Sequence, residues 1–470
     1  MNPESGNLFG PELDKPREKC GIVGIYGQSA DIAYRTYDAI GELQHRGEQA
    51  AGISIFGERL FTTKGPGKIK AVFDRANLDG MPAGHIGVGH VRYQTVETGL
   101  GNDMDSIQPI ENQGVVVAHN GNFTHFDGQP FAPNGASDTA YLSGLIGESL
   151  NRQSNRDLPQ AVIETLKRAE GAYSLIVADT HNLIAIRDKR GFRPLLFGRQ
   201  TDGTYVAASE SVALDALEVN KYESLGRGEM LIINEHGAKV VPFDTPERGA
   251  FCMMELVYFS RPDSMYGAES VYTKRVRTGA QLADEVPADV DVVIGVPGTG
   301  LDAAKGYAER LGLPFAEKGI HKTGYERSFL GKDDQTRRHI ARKKFNVTRD
   351  IVEGQRLAVI DDSLIRGTVT SVIVEKLRRF GAKEVHFRVA SPPYRNACHF
   401  GIDTGRESEL IARSMTIAET AEFIGVDSLG YLSLDGLKQA LKYDDEELCD
   451  ACVSGNYPIP VKIGTLAVTH

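Results

Sequence analysis

The chain is poor in cysteine and has no long apolar run, and each lack excludes a class of protein. There are five cysteines in 470 residues, Cys20, Cys252, Cys398, Cys449 and Cys452. An odd, sparse set in a long chain does not make a disulfide framework, so these thiols are expected to be buried, catalytic or metal-binding in a reducing compartment. No stretch approaches the roughly 18 apolar residues that a membrane span needs. Residues 1–19 hold Pro3, Pro11 and Pro16 among seven charged side chains. Without a continuous apolar core they cannot act as a secretory signal and read instead as a short polar leader. A cytoplasmic protein is the expectation. Basic residues are the minority, 53 against 63 acidic, for a net charge of −10. That balance disfavours general binding to nucleic acid or to anionic membrane. No internal repeat or low-complexity tract is present.

The remaining composition is that of an ordinary folded chain, 41% apolar and 25% charged. The length suits two or three domains. In the first half, short apolar runs at 21–26, 114–118, 172–178 and 183–186 predict strands. Helical periods at 32–43, 141–150 and 158–168 accompany them, giving a mixed α/β domain. The pattern breaks in a charged, proline-containing stretch at 243–250. Beyond it, strand and helix alternate more regularly. Strands are expected at 290–296, 356–360 and 384–390, and helices follow 298–300 and span 369–380. Strand–loop–helix units in series predict a parallel sheet with right-handed crossovers and a ligand site at the carboxyl ends of the strands. The expected division is a leader at 1–19, a first domain at 20–249 and a second at 250–470.

Asp361 and Asp362 directly follow a buried strand, and Ser363, Arg366, Gly367, Thr368, Val369 and Thr370 lead into a helix. Small and hydroxyl residues at a helix start leave backbone N–H groups to hold a phosphate, and paired carboxylates suit diol oxygens or a hydrated Mg²⁺. Residues 322–349 carry nine basic side chains, Arg337 and Lys344 among them, against Glu326, Asp333 and Asp334. A basic flap closing over pyrophosphate is the expectation, with a nucleic-acid patch as the rival reading.

In the first half, Cys20 starts a strand in Cys20-Gly21-Ile22-Val23-Gly24. It is either a small buried residue or a nucleophile whose own α-amino group is the base. A free α-amine has a pKa of about 7.7–8.0, close to working pH. That role requires cleavage after Lys19, which gives the leader a purpose. The motifs His45-Arg46-Gly47, Gly89-His90-Val91-Arg92-Tyr93, His119-Asn120-Gly121-Asn122 and Ser137-Asp138-Thr139 follow in order.

This series resembles the N-terminal-nucleophile glutamine amidotransferases, and residues 359–368 resemble the signature of the type I phosphoribosyltransferases. Joined in one chain, the halves resemble the amidophosphoribosyltransferase family in its iron–sulfur, propeptide-bearing branch. The resemblance implies an α/β fold class, an α+β N-terminal-nucleophile sandwich followed by a type I phosphoribosyltransferase parallel-sheet domain. It implies transfer of ammonia from glutamine to phosphoribosyl pyrophosphate in the first committed step of purine synthesis. Cys20 would attack glutamine, Arg92 would clamp its α-carboxylate and Asp138 its α-ammonium. The Asn120 side chain and the Gly121 N–H would form the oxyanion hole. Asp361 and Asp362 would hold ribose hydroxyls, and residues 363–370 the 5′-phosphate. Thr299, Asp361 and Asp362 would attend Mg²⁺, and Arg337 and Lys344 the pyrophosphate. Cys252, Cys398, Cys449 and Cys452 would hold a 4Fe–4S cluster, with zinc as the second choice. A homo-oligomer inhibited by purine nucleotides is also implied. The chain departs from the family pattern at Gly298, Glu48-Gln49, Ala140 and Val369. Two rival functions are a non-catalytic regulator that binds phosphoribosyl pyrophosphate and an amidotransferase for another sugar phosphate.

Overall fold

A computed structural model describes residues 17–18, 20–29, 31–93, 104–131, 137–323, 341–404, 407–444 and 447–461. Arg337, with the rest of 324–340, lies outside the described residues, as does Lys19.

Two antiparallel seven-stranded sheets build the first half. In one, Cys20–Ser29 lies between Tyr205–Ala208 and Gly84–Arg92, and Ala50–Phe56 pairs with the latter's other edge. In the other, Val115–Phe126 lies between Ile110–Asn112 and Ala169–Ala178. The strands alternate so that one face of each sheet meets the other. Ile22, Phe56, Ile86 and Val88 from the first sheet pack on Val116, Ala118, Ile176 and Leu183 from the second. Burying both faces needs helices outside, and the sequence supplies them. Ile32–Glu42 turns Ile32, Ala39 and Ile40 onto the first sheet. Asp138–Arg152 and Leu158–Leu166 turn Leu142, Ile146, Leu158 and Val162 onto the second. The result is a helix–sheet–sheet–helix sandwich.

The second half has a four-stranded parallel sheet in the order Val292–Gly295, Arg356–Asp361, Glu384–Val389, Ser428–Tyr431. The crossover helices Gly300–Leu311 and Thr368–Arg379 carry Tyr307, Ala304, Val372, Ile373 and Leu377 inward. One apolar core runs unbroken from Val23 and Ile40 in the sandwich to Val293 and Tyr307 in the parallel-sheet half. Phe251–Cys252, just past the charged break, pairs in parallel with Leu448–Cys449 from the far end of the chain.

Candidate functional sites

Cys20 lies directly opposite Arg92 in the strand ladder and is 5% exposed. The strand is anchored by Arg46, whose Nε donates to the Cys20 carbonyl at 3.1 Å. The Arg46 guanidinium also pairs with Glu210 and, at 3.0 Å, with Glu255. Arg193 joins this buried group, bonding Glu255 at 3.1 Å and the Phe400 carbonyl at 3.0 Å. Burial alone would raise the Glu210 pKa, but the charges of His45 and Arg46 overcome it and hold the carboxyl ionised. Such a group is expensive to break, because removing one partner strands a buried charge. It fixes the Cys20 strand against Glu255, which belongs to the second half.

Arg92 is 9% exposed, and one arm of its fork is fixed by the Ser106 carbonyl and hydroxyl, both at 2.7 Å. Burial lowers its pKa, while the charges of Cys20 and Asp138 act in the opposite sense. Asp138 opens the helix Asp138–Arg152 behind the N-cap Ser137 and accepts from the Phe123 N–H at 3.1 Å and the Thr139 N–H at 2.8 Å. His119 stands 3.7 Å from the same carboxylate and 3.1 Å from the Thr139 hydroxyl.

Between these groups, Asn120 is fully buried on Val115–Phe126, and neither its Oδ1 nor its Nδ2 has a hydrogen-bond partner among the described residues. An unmade buried bond costs about 1–3 kcal/mol, so a side chain held this way is poised for a ligand. Gly121 follows with φ +145°, and a Cβ there would sit 1.9 Å from the Ala172 carbonyl oxygen. Glycine is required at this point. The next residue, Asn122, donates to the His399 carbonyl at 3.0 Å and so joins the strand Val115–Phe126 to the Cys398 loop. Taken together, the elements assemble a thiol, a cation for a carboxylate, an anion for an ammonium and an amide donor.

The second site lies at the carboxyl ends of the parallel strands, where Pro297, Gly298, Thr299, Asp361, Asp362, Ser363, Gly367, Val369 and Thr370 line one pocket with Lys322 and Lys344. Asp361 and Asp362 are 4% and 3% exposed. Asp362 accepts from the Thr299 and Ser363 hydroxyls, and Asp361 from the Asp362 N–H at 2.9 Å. The helix Thr368–Arg379 starts behind Gly367, at φ +81°, with no side-chain cap. A helix start of this kind, with Val369 and Thr370 lining the pocket, is a general place for an anion. Arg366 and Thr368 do not line the pocket. The Arg366 guanidinium bonds Glu409 at 2.7 Å and the Thr404 carbonyl at 3.3 Å, tying the phosphate loop to the segment that follows Cys398. Tyr258, which sequence reasoning gave no role, also lines the pocket from a five-residue π-helix, Glu255–Phe259. π-Turns gather at functional sites, but their only trace in sequence is an aromatic among apolar residues.

The last four cysteines converge. Cys252 and Cys449 are register partners, and the charges of Cys252, Cys398 and Cys449 all act on Cys452. Burial, then neighbouring charges, pushes the Cys252 thiol up to about 12 and Cys449 and Cys452 well above the ordinary thiol range. Buried thiols held up in this way ionise only with a cationic partner, which suits a metal centre. Among the described residues, no three His, Cys, Asp or Glu side chains gather round a single ion. Four cysteine thiolates are the donor set of a 4Fe–4S cluster, and zinc accepts the same set. The paired aspartates and the Thr299 hydroxyl are hard oxygen donors and fit Mg²⁺.

A cysteine-led four-layer sandwich joined to a parallel-sheet domain with an uncapped helix beside paired aspartates is the architecture of a glutamine amidotransferase coupled to a phosphoribosyltransferase. Residues 99–216 match the family described as glutamine amidotransferase domain. The amidophosphoribosyltransferase of Synechocystis sp. is 38% identical over 464 residues, covering 97% of this chain and 94% of the relative. The chain belongs to the amidophosphoribosyltransferase family. The Bacillus subtilis member is 37% identical, with 96% of each chain covered. A chloroplastic member from Arabidopsis thaliana is 38% identical, with 95% of this chain and 80% of the relative covered. Among solved structures, glutamine phosphoribosylpyrophosphate amidotransferase from B. subtilis complexed with ADP and GMP superposes with TM-score 0.83 at 36% identity, over 94% of this chain and 98% of that one. A structure titled as the allosteric regulatory enzyme of purine biosynthesis gives 0.85 at 37%, over 95% and 98%. No helix among the described residues is long and apolar enough to cross a membrane.

Proposed function

We propose that this chain moves the amide nitrogen of glutamine onto C1 of phosphoribosyl pyrophosphate, yielding 5-phosphoribosylamine, glutamate and pyrophosphate, the first committed step of purine synthesis. Residues 20–249 form the glutaminase domain and 250–470 the phosphoribosyltransferase domain, behind a leader at 1–19 that is removed to free the Cys20 α-amine. That amine takes the thiol proton, and the thiolate adds to the side-chain amide carbon of glutamine. Arg92 holds the α-carboxylate with the arm not bound to Ser106, and Asp138 holds the α-ammonium. The oxyanion is received by the Asn120 amide and the Gly121 N–H. Ammonia leaves, water cleaves the thioester, and ammonia crosses to the second pocket.

There Asp361 and Asp362 hold the ribose hydroxyls, and residues 363–370 with the start of the following helix hold the 5′-phosphate. Lys344, and Arg337 from the basic stretch, meet the pyrophosphate. Mg²⁺, held near Thr299, Asp361 and Asp362, would supply a counter-charge for the leaving pyrophosphate. Cys252, Cys398, Cys449 and Cys452 would hold a 4Fe–4S cluster that ties the C-terminal segment to the core, placing the chain in the iron–sulfur, propeptide-bearing branch. The protein acts in the cytoplasm as a homo-oligomer, and purine nucleotides inhibit it. The ADP- and GMP-bound relative supports that last point.

The observation that carries the reading is the buried Asn120 amide with no partner among the described residues, set beside Gly121 in a chain whose Cys20 pairs with Arg92. A pure regulator that binds phosphoribosyl pyrophosphate has no use for it. The test is Cys20→Ala. Glutamine-dependent turnover is expected to vanish, while turnover with added ammonia persists. Loss of neither would show that the nucleophile lies elsewhere.

A further inference from the structure

Tyr394 is 2% exposed, and its phenol oxygen has no hydrogen-bond partner among the described residues. Buried tyrosine hydroxyls usually find one, so the vacancy calls for a ligand. Its surroundings narrow the choice. Tyr394 shares an apolar core with Cys252 and Cys452, and Cys398 packs against that core. The next two residues close on the same site: the N–H groups of Arg395 and Asn396 donate to the Cys452 carbonyl at 2.8 and 2.9 Å. Asn396 Nδ2 also reaches the Ala451 and Val453 carbonyls, both at 3.4 Å. The charges of Cys452, Cys398 and Cys252 all act on the Tyr394 phenol. One N–H already donates to a sulfur here, from Phe400 to Cys398 Sγ at 3.3 Å. Tyr457, the other tyrosine at the site, is already committed, its hydroxyl donating to the Ala397 carbonyl at 2.6 Å.

We infer that Tyr394 donates its O–H to a sulfur of the centre that the four cysteines hold, a cysteinyl thiolate or a bridging sulfide, and so tunes its reduction potential. The inference rests on the cluster reading above. A neutral phenol offers one O–H donor. A hydrogen bond to sulfur draws off electron density and favours the more negative, reduced cluster. Tyr394 is therefore a positioning and tuning residue, not a ligand.

The experiment compares the full-length wild-type protein with Tyr394→Phe, both purified anaerobically. Iron and sulfide are assayed, iron–sulfur stretching bands are recorded by resonance Raman in H₂O and D₂O, and midpoints are measured by film voltammetry. The expected result is equal, near-stoichiometric iron and sulfide in both. A solvent-isotope shift present in wild type should be lost in the variant, and the variant's midpoint should fall. A tenfold drop in the reduced-to-oxidised ratio at fixed potential would read as about 59 mV for one electron. Iron-loaded wild type and variant with identical bands and midpoints would overturn the hydrogen bond and leave the cluster standing. A colourless, zinc-loaded wild type would overturn the cluster reading and the inference with it. Should Tyr394→Phe fail to hold iron, wild-type bands insensitive to D₂O would by themselves overturn the hydrogen bond.

Discussion

In the glutaminase half, Asn120 keeps both amide atoms buried and without a partner among the described residues, while in the phosphoribosyl half both carboxylate oxygens of Asp362 are occupied, by Thr299 and Ser363. The first arrangement holds a donor ready where charge will develop, and the scaffold bears the standing penalty of about 1–3 kcal/mol. The buried group of Arg46, Glu210, Glu255 and Arg193 holds the Cys20 strand in place. The second arrangement must exchange hydroxyl bonds for substrate and metal, so its order arrives with the ligand. Preorganisation is thus expected to show in kcat on the glutamine side and in KM on the phosphoribosyl side.

The contrast breaks most visibly at Asn120. Asn120→Ala is expected to lower glutamine-dependent kcat by about 10²–10³-fold, the usual loss for one oxyanion donor. Steady-state assays with glutamine and then with ammonia would check it, and the ammonia rate should be unchanged. Stability gives a second difference. His90, wholly buried next to the catalytic strand, has its pKa held down to about 3 by burial and then by the Arg92 charge. The unfolded chain protonates the same histidine near pH 6.5. Stability contributed by keeping it neutral is full above about pH 6.5 and is lost as pH falls toward 3, at up to about 1.4 kcal/mol per unit. Urea unfolding of wild type and His90→Gln across that window should show a shallower acid decline in the variant. The smallest effect lies on the phosphoribosyl side. Glu409→Gln frees Arg366 from a partly buried pair, and the KM for phosphoribosyl pyrophosphate should rise about two- to five-fold with kcat held.

Much of the scaffold was legible because apolar spacing is a long-range instruction. The strand expected at 356–360 is Arg356–Asp361, the one at 183–186 is Leu183–Arg187, and the helix expected at 32–43 is Ile32–Glu42. The parallel sheet followed from the alternation of strand and helix. The strand expected at 114–118 fails at its end, continuing through His119, Asn120, Gly121 and Asn122 to Phe126. Read locally, Asn-Gly is a turn. Here the partner strand Ala169–Ala178 holds it extended, with His119 and Asn120 buried. The motifs identified which residues matter, but not that Arg366 reaches out to Glu409 or that Tyr258 lines the phosphate pocket. Nor did spacing reveal the buried pairing of Arg46 with Glu210 and Glu255, 164 and 209 residues away. Those contacts depend on tertiary packing between distant segments, which no local pattern encodes.

The central claim concerns one sulfur and the amine next to it. The most direct measurement is the intact mass and peptide map of active protein after treatment with a diazoketone analogue of glutamine. The account predicts a chain that begins at Cys20 and carries a single adduct on that residue, with glutamine-dependent activity lost in proportion to labelling. An active protein that retains residues 1–19, or one labelled on a different residue as activity disappears, would contradict it.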